Sequence, residues 1–286
     1  MQNYSIICDS SCDLTAKMLD ERSMPSVSLS FRFDGEKREY KCNEMECKEF
    51  YDKMRKGGVA KTSGVNTAEF ISAFESIFKN EHDIIYIAFS SALSMTYQAA
   101  RNASAELKEK YPNRKIAVID SLCASAGIAL LIDLVKEKQA RGASFEETVE
   151  YAESMKGKVC HWFTVDDLEY LKRGGRINPS TAFFGNMLGI KPLLHVDDKG
   201  RLINVGKVRG RRATLVAMCD KYSELHDGSH DVYISHADCI DDAKLLSNML
   251  KSRFDVNTRL ITDVGPVIGS HSGPGTLALL FIGKER

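Results

Sequence analysis

The sequence predicts an α/β fold: a mostly parallel N-terminal sheet flanked by helices, followed by a second α+β domain with a mixed sheet. The first half repeats a short apolar run, a Ser-rich turn and a helical pattern. The repeats are YSIICDSSCDLTAKMLDE, HDIIYIAFSSALSMTYQAARNASAELKEKY and RKIAVIDSLCASAGIALLIDLVKEKQARG. This alternation is typical of parallel strands joined by helices. After it come shorter strands and helices with a hairpin, and 286 residues are enough for two cores.

The element boundaries follow from capping residues and turns. Asn66 with Glu69, and Ser144 with Glu147, predict the N-termini of two amphipathic helices. The segment WFTVDDLEYLKRGGRI predicts a strand and a short helix, and KPLLHVDDKGRLINVGKVRG predicts a hairpin. The remaining segments predict further strands at DVYISHAD, TRLITDV and TLALLFIG and helices at RRATLVAMCDKYSEL and DDAKLLSNMLKSRF. We place the domains at residues 1–157 and 158–286.

Composition and charge exclude several classes of protein. The 39 basic and 39 acidic residues cancel, so we expect no nucleic acid partner and no attraction to an anionic membrane. The apolar run IALLIDLV is too short to span a bilayer, and the first residues lack a leader pattern. We therefore expect a cytoplasmic protein. The eight cysteines form no CxxC pair, which predicts reduced, mostly buried thiols, and His226 and His230 are expected in a surface loop, without a metal.

Hydroxyl groups gather at two strand-to-helix or loop-to-helix junctions. The segment SSALSMTYQAA contains Ser91 and Ser94, and KTSGVNTAEF contains Thr62 and Ser63. The first N–H groups of a helix have no intrahelical partner and carry a partial positive charge, so hydroxyl groups beside them suit an anion. If both junctions face one cleft, they form a small neutral anion clamp. No GxxxxGK[ST] motif is present, so a nucleotide phosphate is not indicated.

Other polar residues allow a catalytic interpretation. Ser94, His271 and Asp9 are the residue types of a hydrolase triad, although no GxSxG elbow is present. His271 lies in VGPVIGSHSGPG, which we interpret as a glycine-rich loop that approaches a ligand closely. Asp9 follows a strand, and capping of the next helix is the favoured interpretation. Arg176 follows two glycines and Arg209 lies near a strand end, so we interpret both as candidates for contact with a phosphate or a partner's carboxylates.

Taken together, these motifs identify a resemblance to the DegV family, the bacterial fatty-acid-binding proteins that serve as the B subunit of a fatty acid kinase. The resemblance covers essentially the whole chain. It is carried in order by CDSSCDLT, KTSGVNTAEF, FSSALSMTYQAA, VIDSLCASAGI, FTVDDLEYLKRGGRIN, GNMLGIKPLLHVDDKGRLINVGKVRGRRATL, ISHAD and VGPVIGSHSGPGTLALLFIG.

The resemblance implies a lipid carrier without catalytic residues, metal or cofactor of its own. One long-chain fatty acid would lie in an apolar tunnel near the domain interface. Its carboxylate would be bound by Thr62 and Ser94, supported by Ser63, Ser91 and His271. IALLIDLV, FFGNMLGI and TLALLFI are candidate tunnel walls.

The resemblance also implies a partner. A dihydroxyacetone-kinase-like, ATP-dependent fatty acid kinase subunit would make the acyl phosphate for phospholipid synthesis, and Arg176 and Arg209 would face that partner or the phosphate. Family members usually read TSQP where this chain has TSGV, and have Gly where Met95 stands, which affects the pocket beside Ser94. Two alternatives stay open: a lipid ester or thioester hydrolase using Ser94 and His271, and a fatty-acid-responsive sensor without a kinase.

Overall fold

The structure, a computed structural model, describes residues 4–178 and 189–286. Its first sheet has four strands in the order β2-β1-β6-β7, all parallel. These strands are β1 (Tyr4–Asp9), β2 (Ser26–Val27), β6 (Asp83–Ala88) and β7 (Ile116–Asp120). The predicted parallel sheet is confirmed, and the turns after β1, β6 and β7 share its carboxyl edge, where such sheets bind ligands.

Helices cover both faces of this sheet. The short α1 (Ala16–Glu21) follows β1, and α3 (Thr67–Phe78) and α4 (Thr96–Lys110) pack on one face through an apolar cluster that includes Phe70, Phe74 and Leu107. On the other face lie α5 (Ala126–Ala140) and α6 (Phe145–Lys156). The predicted capping boxes of α3 and α6 are both present.

The second sheet has six strands in the order β10-β9-β8-β13-β11-β12. The pair β11–β12 is parallel and the other neighbours are antiparallel, so the sheet is mixed, as predicted. Its strands are β8 (Val159–Thr164), β9 (Ile190–Val196), β10 (Leu202–Arg209), β11 (Val232–His236), β12 (Thr258–Asp263) and β13 (Leu277–Ile282). Helices α8 (Arg211–Leu225) and α9 (Ile240–Phe254) pack on its outer face.

Helix α5 lies between the two sheets. It packs against β6 on one side and against β8, β11 and β13 on the other, and 11 of its residues are buried. A helix that is covered all round needs an apolar surface all round, which explains the run IALLIDLV. The acidic residue in that run, Asp133, is satisfied by Arg22 at 2.7 Å and by the Tyr233 hydroxyl at 2.6 Å.

A third, small sheet was not predicted. It consists of β3 (Ser30–Phe33), β4 (Tyr40–Lys41) and β5 (Ala60–Ser63) in the order β4-β3-β5, and α2 (Cys47–Arg55) packs on it. Thr62 and Ser63 therefore end a strand, whereas the sequence pattern predicts a loop before the next helix. Strands of two to four residues are too short to show alternation, and pairing with β3 is what extends this segment.

The segment around His271 also differs from its prediction. It is not a loop but helix α10 (Pro266–Ser272), which α7 (Glu169–Arg173) contacts. Pro266 is tolerated because it stands in the first turn, where its missing N–H breaks no hydrogen bond. Gly269 is needed for packing, since a Cβ there would overlap the Tyr51 hydroxyl.

The second sheet starts at Val159, next to the predicted division at residue 158. Side chains nevertheless pack across that division. The Tyr51 hydroxyl donates to the Val264 carbonyl at 2.6 Å, and Phe31 and Phe50 share a buried cluster with Val264. The division into residues 1–157 and 158–286 stays a prediction.

All eight cysteines are free thiols, and five of them are buried, in agreement with the expectation from the sequence. Across the two described ranges, no helix combines the length and apolar character that crossing a membrane requires.

Candidate functional site

A cavity of about 240 Å³ lies between the parallel sheet and the mixed sheet. Its wall is mainly apolar, with Phe89, Leu93, Phe163, Val196, Leu202 and Leu280 among its lining residues. The predicted wall segment TLALLFI is confirmed, because Ala278 and Leu280 of β13 line it. IALLIDLV does not line it, and FFGNMLGI lies almost entirely outside the described residues.

Strand register gives the direction in which the cavity runs. Ala278 and Leu280 point to the same face of β13, since side chains alternate along a strand. Leu280 pairs with His161 on β8, and Leu202 pairs with Val196 across the β9–β10 hairpin. The apolar wall of the cavity therefore extends from the end of α10, just before β13, towards the β9–β10 hairpin.

Polar side chains gather at the α10 end. The Oγ1 atom of Thr62 lies 2.8 Å from Nε2 of His271, although the two residues are 209 positions apart. Thr62 is the penultimate residue of β5 and His271 lies in the last turn of α10, and both line the cavity. The structure thus brings together two residues that the resemblance assigned to carboxylate binding.

Ser94 lines the same end, in the turn between β6 and α4. Its Oγ lies 2.9 Å from Thr96 Oγ1 and accepts a hydrogen bond from the Thr96 N–H at 3.2 Å. Ser94 therefore stands at the positive end of the 15-residue helix α4. Gly64 lets the two junctions approach, because a Cβ there would lie 2.8 Å from Thr96 Oγ1 and 3.5 Å from Ser94 Oγ.

His271 is neutral at ordinary pH. Burial, with smaller contributions from the Arg176 and Arg173 guanidinium groups, lowers its pKa from 6.5 to about 4. Its Nδ1 is buried and has no hydrogen-bond partner in the part of the chain that the structure describes. Gly174 packs on that nitrogen so closely that a Cβ would overlap it. The ring is therefore held in place by a glycine on one side and by Thr62 on the other.

Arg176 lines the cavity beside this group. Its Nε donates to the Leu93 carbonyl at 3.1 Å and its Nη1 donates to the Gly174 carbonyl. Burial lowers its pKa, and none of the ion pairs among residues 4–178 and 189–286 includes it. A half-buried guanidinium without a carboxylate partner leaves positive charge available to an anion in the cavity.

The structure places three other predicted residues outside the cavity lining. Ser63 alternates with Thr62 along β5 and is exposed; the hydroxyl groups of Ser30 and Ser63 hold the pKa of Glu39 below its ordinary value. Ser91 is exposed, and its N–H donates to Asp120 Oδ1 at 3.1 Å.

Arg209 is exposed at the end of β10 and does not line the cavity either. Met95, in contrast, lines the cavity and is 74% exposed, so it stands at the entrance.

The hydrolase triad is not assembled. Asp9 accepts hydrogen bonds from the Tyr86 hydroxyl at 2.6 Å, the Phe89 N–H at 3.1 Å and the Ser11 N–H at 2.9 Å. Asp9 therefore caps the 3-10 turn after β1 and braces the β6 turn, as its favoured interpretation predicted. The hydrogen bonds of Ser94 and His271 run to Thr96 and Thr62 and not to each other.

Two features of the site could not be predicted from the sequence. Ser90, the first residue of the segment SSALSMTYQAA, is fully buried and donates to the Gly200 carbonyl at 2.9 Å, which ties the β9–β10 turn to the parallel sheet. Ser272 lines the cavity and was not singled out. Its only signal in the sequence is its position directly after His271. Within the described ranges, no group of three or more potential metal ligands is present.

Comparisons with known proteins agree with this architecture. The family profile described as "Uncharacterised protein, DegV family" matches residues 3–284. A DegV domain-containing protein of Clostridium perfringens is 39% identical over 291 residues, covering 100% of this chain and 99% of that protein. One from Streptococcus pyogenes is 33% identical over 283 residues and covers 99% of both chains.

Solved structures give the same result. A DegV lipid binding protein from Thermotoga maritima superposes with a TM-score of 0.87 at 29% identity and covers 100% of both chains. A DegV family protein from Thermus thermophilus, described for its fatty acid binding, has a TM-score of 0.88 at 27% identity, covering 99% of this chain and 100% of that one. A stearic acid-binding protein from Eubacterium ventriosum has a TM-score of 0.86 at 26% identity, with 97% and 98% covered. The chain belongs to the DegV family.

Proposed function

We propose that this protein binds one long-chain fatty acid in the cavity between its sheets and presents the carboxylate to an ATP-dependent fatty acid kinase, which forms the acyl phosphate. The observation that carries the proposal is a mainly apolar cavity with Thr62, Ser94, Arg176 and His271 gathered at one end. An amphiphile with a negatively charged head and a long apolar tail matches that distribution. The fatty acid binding described for the Thermus thermophilus and Eubacterium ventriosum proteins supports the same ligand class.

The tail supplies most of the affinity. Burying about fifteen methylene groups at about 0.8 kcal/mol each yields roughly 12 kcal/mol of gross transfer free energy, before the costs of ordering and association. Phe89, Phe163 and Leu280 supply apolar contact surface for such a chain. The cavity wall therefore determines whether a lipid is retained.

The head group sets orientation. If Nε2 of the neutral His271 carries the proton, it donates to Thr62 Oγ1, and the Thr62 hydroxyl proton is free for a ligand oxygen. If Thr96 Oγ1 donates to Ser94 Oγ, the Ser94 hydroxyl proton is free in the same way. Two hydroxyl donors, the N-terminus of α4 and the charge of Arg176 then offset the desolvation of a carboxylate.

The partner kinase would transfer the phosphate to the bound fatty acid. The carboxylate would lie near Met95, at the entrance of the cavity, where a second protein can reach it. Arg209 lies outside the cavity lining and is exposed, which suits contact with a partner or with the transferred phosphate. In this proposal the chain is a carrier that performs no chemistry alone, with a role in phospholipid synthesis.

Organic extraction of the purified, denatured protein followed by mass spectrometry tests the ligand class. We expect close to one fatty acid per chain. Protein stripped of lipid and then incubated with palmitic acid should recover the same ratio. A protein that contains no lipid and takes up none would exclude the proposed function.

A further inference from the structure

Three hydroxyl groups follow one another at the end of α10 and before β13. Ser270, Ser272 and Thr276 are each only 4% exposed. Ser270 Oγ donates to the Pro266 carbonyl at 2.7 Å, and Thr276 Oγ1 lies 2.8 Å from the Gly273 carbonyl oxygen. Ser272 Oγ, by contrast, has no hydrogen-bond partner anywhere in residues 4–178 and 189–286. The three groups are equally buried, but only the hydroxyl of Ser272 is uncommitted.

Ser272 combines a free hydroxyl with a position on the cavity wall. Serines in helices commonly donate to the carbonyl four residues earlier, which is what Ser270 does with Pro266. Ser272 ends α10 and lines the cavity, directly after His271. A buried hydroxyl without a partner destabilises a folded protein, so its retention on a cavity wall indicates a partner inside the cavity.

We propose that Ser272 is a third hydroxyl donor of the carboxylate site, whose Oγ–H donates to the fatty acid carboxylate beside Thr62 and Ser94. This inference rests on the proposed function and adds a residue to it. An ionised carboxylate has about four acceptor positions on its two oxygens, so donors from Thr62 and Ser94 leave room for another. Thr276 lines the same cavity, but its hydroxyl already donates to a backbone carbonyl.

If Ser272 binds the ligand, removal of its hydroxyl should affect the stability of the lipid-free protein and that of the lipid-bound protein differently. A purely structural role does not predict this difference. Removing the hydroxyl of Ser272 deletes an unpaired buried group from the lipid-free protein, so the lipid-free protein should keep or gain stability. The same change deletes a donor to a charged ligand, so the bound state should lose stability. Ser270 is predicted to behave in the opposite way, because its hydrogen bond is internal.

The experiment compares Ser272→Ala with the matched control Ser270→Ala, using Ser272→Thr to restore a hydroxyl. Affinity for palmitic acid and for 1-hexadecanol is measured on stripped protein, together with the melting temperature. We expect Ser272→Ala to bind palmitic acid about tenfold more weakly or worse, with a smaller loss for the neutral alcohol, since hydrogen bonds to charged groups are the stronger ones. Ser272→Thr should recover binding, and Ser270→Ala should lower only the melting temperature.

Two results would overturn the inference. One is wild-type affinity for palmitic acid in Ser272→Ala. The other is a melting temperature of lipid-free Ser272→Ala that falls as far as that of Ser270→Ala, which would show an internal structural role. Failure of the wild-type protein to bind palmitic acid is a separate outcome, because it removes the proposed function as well as this addition to it.

Discussion

Thr62 Oγ1 lies 2.8 Å from His271 Nε2, and this hydrogen bond joins the small antiparallel sheet of the N-terminal half to helix α10 of the C-terminal half. The two side chains lie at the polar end of an otherwise mainly apolar cavity. Because one partner is a hydroxyl and the other a neutral imidazole, the pair adds polar groups to this end of the cavity without placing a charge there. Arg176 supplies the positive charge from the side.

Removal of both hydroxyl donors tests the binding site directly. Thr62→Ala combined with Ser94→Ala should lower affinity for a long-chain fatty acid at least tenfold, because hydrogen bonds to a charged group contribute about 1.5 to 3 kcal/mol each. Affinity is measured by titration of stripped protein. The control is Ser63→Ala with Ser91→Ala, since both residues lie outside the cavity lining. Equal affinities for the two double variants would contradict the assignment of Thr62 and Ser94.

Acid should destabilise the lipid-free protein through His271. Folding lowers the pKa of His271 from 6.5 to about 4, chiefly because the ring is buried. Between these values the unfolded chain binds a proton that the folded protein excludes, so the free energy of unfolding falls as pH falls from 6.5 to about 4. The stability that this group contributes is complete above pH 6.5.

His271→Gln keeps a side-chain donor but does not titrate, so its unfolding free energy should fall less between pH 7.5 and pH 5 than that of the wild type. Urea unfolding at both pH values measures the difference. His161, His195 and His236 also have lowered pKa values, mainly because of burial, and they remain in both proteins as an internal control. Identical pH dependence in the two proteins would show that His271 does not titrate as described.

Substitution of Gly174 tests whether fatty acid binding depends on the position of the His271 ring. A Cβ at Gly174 would overlap His271 Nδ1, so Gly174→Ala should displace the ring and weaken fatty acid binding roughly tenfold. Gly157 is a matched control: its φ and ψ of −74° and −8° resemble the −73° and −8° of Gly174, but a Cβ there meets nothing within 4 Å. Gly157→Ala should leave binding unchanged. Unaltered binding in Gly174→Ala would mean that the ring position does not matter.

Substitution of Arg209 tests whether fatty acid binding and phosphorylation by the kinase depend on different residues. Arg209→Ala should retain fatty acid at the wild-type ratio, because Arg209 does not line the cavity, while acyl phosphate formation by the partner kinase decreases. Extracted lipid and kinase turnover are measured on the same preparation. An equal loss of both would place Arg209 in the lipid site. If the wild-type protein binds fatty acid but no acyl phosphate forms with a kinase, the result would favour the alternative of a fatty-acid-responsive sensor without a kinase.

Local patterns in the sequence predicted much of the framework. The three strand, turn and helix repeats predicted the parallel sheet, and the pairs Asn66–Glu69 and Ser144–Glu147 predicted two capping boxes that the structure contains. The family could also be predicted, because its motifs recur in order along the chain. The helix caps and the strand, turn and helix patterns depend on residues that are close together in the sequence, so they can be predicted without the tertiary structure.

The small sheet and helix α10 could not be predicted in the same way. Strand β5 is extended because β3 pairs with it, and α10 is helical although it contains Gly269 and has Gly265 and Gly273 at its ends. Its Gly269 is required by the approach of Tyr51, a residue more than two hundred positions away. Here long-range packing overrides local propensity.

The sequence by itself determined the alternation of strands and helices, the family, and the kinds of side chain available at the site. Only the tertiary structure decided which of these hydroxyl groups lie at the binding site. Thr62 lines the cavity and Ser63 does not, because neighbouring residues of a strand point to opposite faces. Ser90 is used for an internal hydrogen bond whereas Ser272 is free, because the position of a carbonyl oxygen relative to each hydroxyl is fixed only when distant segments pack together.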